Sequence, residues 1–97
     1  MSKHARAEAK KAVDPLVGGF LDYLKVEKGL ALLTAEAYQR DLEQFHEFLA
    51  SRRRELLAVR REDVRAFMNQ LFSHGVMDRS VARKLSTLRH FYKYLLL

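Results

Sequence analysis

Cysteine and tryptophan are both absent from this chain. Without thiols there is no disulfide framework, no thiolate zinc site and no cysteine nucleophile, and a reducing cytoplasm is the compartment expected. A single proline and four glycines mark neither a fibrous nor a disordered chain. No uninterrupted apolar span long enough for a bilayer occurs, and no lone basic amphipathic helix of the kind that lies on one, so no membrane partner is expected. Acidic residues are in deficit: 12 Asp plus Glu stand against 18 Lys plus Arg, a formal net charge of +6. That imbalance calls for an anionic partner, and with membranes set aside nucleic acid leads.

What is present is a chain of 97 residues, 48% of them hydrophobic, enough for one apolar core and too short for two. Residues 1–13 read as a flexible basic tail, Ala-rich and without the apolar region of a secretory signal, and residues 14–97 as the folded domain. Asp14-Pro15 is a helix start, because the carboxylate accepts from exposed amides and proline at the first helical position forfeits no needed donor. The first helix is predicted to run to about Lys28, burying Leu16, Phe20, Tyr23 and Leu24, with Gly29 closing it. Gly18-Gly19 weakens it by about 1 kcal/mol per glycine, so either the helix begins after them or another backbone packs close.

A second helix is read from near Thr34 to Ala50, with Ala35, Tyr38, Leu42, Phe45 and Leu49 as its inward stripe. The arginines of Ser51-Arg52-Arg53-Arg54 offset its negative end and are solvated, or else touch an anionic partner. Leu56, Leu57 and Val59 are expected to fold back over the core. The third helix, from about Arg61 to Ser73, repeats Val64, Phe67, Met68, Leu71 and Phe72, and Glu62-Asp63 serve its positive end. Gly75 stops it. The fourth runs from about Asp78 to the last residue, with Val81, Leu85, Leu88, Tyr92 and Leu95 inward. Its opposite side carries Arg79, Arg83, Ser86 and His90, flanked by Ser80, Lys84 and Thr87 on one edge and by Arg89 and Lys93 on the other. The fold class expected is all-α. Ending on Leu95-Leu96-Leu97 without a polar cap, the sequence suggests that more chain follows.

An α-helix fits the DNA major groove, where long basic side chains reach phosphates and polar ones meet base edges. Arg79, Ser80, Arg83 and Thr87 lie about a turn apart near the amino end of the fourth helix. Arg83 suits a bidentate contact with guanine, and Lys84 and Arg79 suit phosphates. A solvated basic face is the plain alternative.

The run from Arg79 to Leu95, with Arg83-Lys84-Leu85-Ser86-Thr87-Leu88-Arg89 at its centre, resembles the last helix of the core-binding domain of tyrosine recombinases and phage integrases, the Xer type above all. Thr34, Tyr38, Asp41-Leu42, Phe45 and Phe48-Leu49 resemble that family's second helix, and Glu62-Asp63-Val64 with Phe67 its third. The likeness covers about Leu16 to Leu97. It implies a four-helix, SAM-like bundle lying over the major groove of one recombination half-site, in a clamp closed by a separate catalytic domain absent from this chain. By the same resemblance, double-stranded DNA and other recombinase protomers are the partners, and the isolated piece is a monomer. The DNA-facing residues implied are Thr34, Ala37 and Arg40 on the second helix and Arg79, Ser80, Arg83, Lys84 and Thr87 on the fourth. The family often has serine where this chain has Ala31, and a hydroxyl cap where it has Arg60.

No catalytic residue, cofactor or metal is expected within the chain. Tyr23, Tyr38 and Tyr92 lie on apolar stripes as core residues with outward hydroxyls. His4, His46, His74 and His90 are scattered without ligand spacing. Two other readings stay open, a helix-turn-helix regulator built on the third and fourth helices and a helical protein-interaction module.

Overall fold

In a computed structural model, residues 14–97 are described, and the tail expected over residues 1–13 lies outside them. They form α1 (Pro15–Glu27), α2 (Leu32–Ser51), a single 3-10 turn (Leu56–Ala58), α3 (Arg61–Ser73) and α4 (Asp78–Leu95). No strand occurs among the described residues, so the fold is all-α as predicted.

The helix ends follow from local chemistry. Asp14 Oδ1 accepts the Leu16 amide at 2.8 Å with Pro15 at the first helical position. Gly29 (φ +61°) and Gly75 (φ +82°) take the left-handed conformation after α1 and α3. There the next amide turns back, Leu30 N–H to the Leu24 carbonyl and Val76 N–H to the Leu71 carbonyl. After α2 the same device uses a non-glycine residue, Arg53 at φ +58°, and the Arg54 amide returns to the Leu49 carbonyl. Helix α2 starts two residues before the predicted Thr34, at Leu32, with Ala31 as an N-cap that offers no side-chain acceptor. The helix α1 begins ahead of Gly18-Gly19, and the neighbour at Gly19 is a side chain and not a backbone. A Cβ there would meet the Tyr94 hydroxyl at 3.0 Å.

The core is aromatic. Phe45 and Phe67 meet edge to face with centroids 5.1 Å apart, joining α2 to α3, and Phe20 and Phe91 do so at 5.5 Å, joining α1 to α4. Two helices sit rotated from their predicted faces. On α1 the buried set is Val17, Phe20, Leu21 and Leu24, with Leu16 and Tyr23 only partly covered. On α4 it is Val81, Thr87, Leu88 and Phe91, a turn of roughly 50° about the axis given 3.6 residues per turn. Phe91 replaces Tyr92 and Leu95 as the deepest anchor because a full phenyl ring gains more from complete burial than a phenol whose hydroxyl must be satisfied. Tyr92 solves that problem inward, donating to the Leu56 carbonyl at 2.7 Å. Its hydroxyl is therefore not outward, and burial first, then the nearby Asp63 charge, raises its pKa. Leu56 covers the core as expected, whereas Leu57 and Phe72 remain exposed.

Arg52 and Arg54 are not simply solvated, because both pair with a buried carboxylate. Asp63, in the first turn of α3, is fully buried and accepts the Arg60 amide at 2.8 Å. Arg52 Nε lies 3.0 Å from Oδ1 and Arg54 Nε 3.0 Å from Oδ2. The hydrogen bond donated by the Arg60 backbone N–H, opposed by burial and assisted by both guanidinium groups, holds the Asp63 pKa below its ordinary value. A carboxylate with a lowered folded pKa stabilises the fold above its unfolded value, and that contribution vanishes as pH falls through the folded one. Thermal unfolding followed from about pH 5 to about pH 2 is expected to show a shallower acid loss in Asp63→Asn than in the unaltered chain. Equal slopes would contradict the assignment.

Candidate nucleic-acid interface

The polar centre of the molecule is Asp41, in the middle of α2 and 1% exposed. Such a carboxylate is tolerated inside only when paired and fully hydrogen-bonded, and α4 supplies every partner. Arg83 Nη2 donates to Oδ1 at 2.8 Å, Lys84 Nζ to the same oxygen at 3.2 Å, and the buried Thr87 hydroxyl to Oδ2 at 2.9 Å. One helical turn earlier on α2, the Tyr38 hydroxyl lies 3.5 Å from His90 Nδ1. Because 38 pairs with 90 and 41 with 83 to 87, α2 and α4 run in opposite directions across this face.

The cluster sorts the predicted DNA-facing residues. Arg79 is exposed with no hydrogen-bond or ionic partner among the described residues, Ser80 is half-buried, and the Arg83 side chain is 53% exposed despite its bond to Asp41. Thr34 and Arg40 are exposed on α2 and Ala37 is partly covered. Thr34 precedes Asp41 by seven residues, about 10 Å along α2, and Arg79 precedes Arg83 by one turn along the opposite direction. The two therefore mark opposite ends of one face, with Arg83 near its middle.

Two predicted residues change role. Thr87 is completely buried and its hydroxyl serves Asp41, so it has no route to a groove. Lys84 is 15% exposed and its ammonium neutralises the same carboxylate, so it is not a free charge for a phosphate. Both follow from the rotation of α4, which turns the Ser80–Lys84–Thr87 flank towards α2 and leaves Arg79, Arg83, Arg89, His90 and Lys93 outside. Asp41 is the residue that reading by residue type missed as part of the site. The signal was there: position 41 falls three after Tyr38 and four before Phe45, on the inward stripe, where an aspartate demands cations from a facing helix.

No group of three or more His, Asp or Glu side chains is placed to hold a metal ion among the described residues, and no described helix is long and apolar enough to cross a membrane. What the face offers is positive charge, from the exposed Arg79 and the half-exposed Arg83, along the packed α2/α4 pair.

The bundle is all-helical, with its third helix anchored by a first-turn aspartate and its two longest helices, α2 and α4, locked by a buried carboxylate. The chain belongs to the phage integrase N-terminal SAM-like domain family, whose model matches residues 17–97. Among curated proteins it is similar to the tyrosine recombinase XerC of Staphylococcus saprophyticus, 44% identical over 75 residues, which is 77% of this chain and 25% of that protein. It is also similar to XerD of Rhizobium meliloti, 40% identical over 79 residues, 81% of this chain and 25% of the relative. XerC of Anoxybacillus flavithermus is 40% identical over 78 residues, covering 79% and 26%. The chain thus spans about a quarter of the length of these relatives. No solved structure matches it significantly.

Proposed function

We propose that this chain is the core-binding domain of a site-specific tyrosine recombinase of the cytoplasm, gripping double-stranded DNA from the major-groove side of a recombination half-site. The observation that carries the proposal is the pair Arg79 and Arg83, exposed one turn apart on α4, which packs against the α2 helix that carries Thr34, Ala37 and Arg40. Arg83 meets base edges, Arg79 and Arg40 hold phosphates, and Ser80 and Thr34 add shorter polar contacts. Strand cleavage and rejoining belong to a separate catalytic domain of the whole recombinase, where a tyrosine nucleophile and cationic groups act on the phosphate. Other protomers bind the neighbouring half-sites. The family membership and the recombinase names of the relatives support this reading.

Fluorescence anisotropy of a labelled duplex titrated with the chain over a range of salt tests it. With about five phosphates neutralised, log K is expected to fall against log salt with a slope near −4 to −5. Binding that is absent at low salt, or that salt leaves unchanged, would overturn it.

A further inference from the structure

We infer that Asp41 is a positioning residue for DNA reading, a buried carboxylate that holds the Arg83 guanidinium in one orientation at the α2/α4 face while Lys84 neutralises it. The inference rests on the DNA-binding reading above and specifies how that surface discriminates between sequences.

The geometry separates the two cations. One carboxylate faces two positive groups, so the cluster carries a surplus positive charge. Lys84, with 15% of its side chain exposed, is the inner partner, and Arg83, with 53%, is the outer one. Thr87 holds Oδ2 from below at 2.9 Å, which stops the carboxylate from rotating. Arg83 is therefore gripped through Nη2 alone, and its Nε and Nη1 have no partner among the described residues. A guanidinium has five N–H donors in a rigid plane. Fixing one nitrogen fixes the direction of the rest, and they point from a half-exposed side chain. Arg79, one turn away, has no such anchor. Arg83 is thereby suited to a directional contact with a base edge, and Arg79 to a phosphate, where direction matters little.

This role differs from simple stabilisation in what it affects. Removing the Asp41 charge makes the face more positive, so affinity for any duplex is kept or rises slightly. Discrimination falls, because a freely rotating Arg83 selects no base edge. A purely structural Asp41 would weaken all duplexes in proportion to the folded fraction and leave their ratio unchanged.

The test begins with a pool of short duplexes randomised at the centre and enriched on the unaltered chain. Dissociation constants for the enriched duplex and a scrambled one are then measured for the unaltered chain, Asp41→Asn, Thr87→Val, Arg83→Gln and the Asp41→Asn/Arg83→Gln double variant. One bidentate arginine–guanine contact carries roughly 5- to 150-fold discrimination. Asp41→Asn is expected to lower the ratio at least about fivefold, the lower end of that range, without weakening the scrambled complex. Thr87→Val shifts the ratio in the same direction, Arg83→Gln lowers it as much as Asp41→Asn does, and the double variant goes no further. If Asp41→Asn and Thr87→Val keep the full ratio while Arg83→Gln loses it, positioning by Asp41 is overturned and DNA reading by Arg83 stands. If the unaltered chain enriches no duplex, the DNA-binding reading itself fails and takes this inference with it. Where a variant is unfolded, side-chain 15N relaxation of the unaltered chain decides: Arg83 Nε is expected to be more restricted than Arg79 Nε, and equal mobility would overturn the proposal.

Discussion

Reversing both outer arginines, Arg79→Glu with Arg83→Glu, is expected to lower affinity for duplex DNA more than about 100-fold at about 0.1 M salt. The magnitude follows from counterion release. Each neutralised phosphate contributes a slope of about 0.9 in log K against log salt, worth roughly eightfold at that concentration. Losing the Arg79 phosphate contact removes about eightfold, losing the Arg83 base-edge contact removes roughly 5- to 150-fold more on a preferred duplex, and two carboxylates facing the DNA repel its phosphates as well. Arg83→Glu also brings a carboxylate towards Asp41, so the neutral pair Arg79→Gln with Arg83→Gln is the necessary companion. It is expected to show the loss of those two contacts alone, about 40-fold or more on a preferred duplex, with the salt slope smaller by about 1 and the helical signal of the bundle preserved. An unchanged affinity in both double variants would place the contact surface elsewhere.

Emptying the junction of α2 and α3 has the largest expected effect on stability. Phe45 is 0% exposed and meets Phe67 edge to face, while Phe48 tilts against the same ring at 5.2 Å. Phe45→Ala loses the transfer free energy of a phenyl ring and leaves a cavity that the rigid helices close only partly, a cost of about 3–5 kcal/mol. A domain of this size has a stability of the order of 4–12 kcal/mol, so the loss is about a quarter of the total or more. Chemical denaturation is expected to show the midpoint falling steeply in Phe45→Ala and within about 1 kcal/mol of the unaltered chain in Phe72→Ala, whose ring is 45% exposed. Equal losses at the two positions would mean that the core does not lie where these contacts put it. Because Asp41 sits one turn before Phe45 on the same side of α2, slackening of this junction is also expected to loosen the bond network that carries Arg83.

The third helix was legible to the residue, Arg61 to Ser73, because two acidic residues, a strong apolar repeat and Gly75 all agree on its limits. The second was shifted by two residues because Ala31 caps it without a side-chain acceptor, leaving no residue type to mark the start. The fourth was bounded correctly at Asp78 but turned about its axis. Periodicity treats every polar residue as outward, and Thr87 and Lys84 face inward only because Asp41 waits on another helix, a pairing forty-odd positions distant that no local pattern contains. The same blindness hid the arginine clamp on Asp63, where a cationic run beside a helix end looks solvated until the facing carboxylate is in place. The exposure of Thr34, Arg40, Arg79 and Arg83 was readable from sequence. The buried cluster that sorts them into outer contacts and inner counter-ions was not.

Backbone amide shifts of the 15N-labelled chain, followed during titration with a duplex, test the central claim most directly. The largest changes are expected at Arg79, Ser80 and Arg83 on α4 and at Thr34, Ala37 and Arg40 on α2, with α3 and the Leu56–Ala58 turn nearly still. Changes centred on α3, or on the far side around His46 and Arg53, would contradict it.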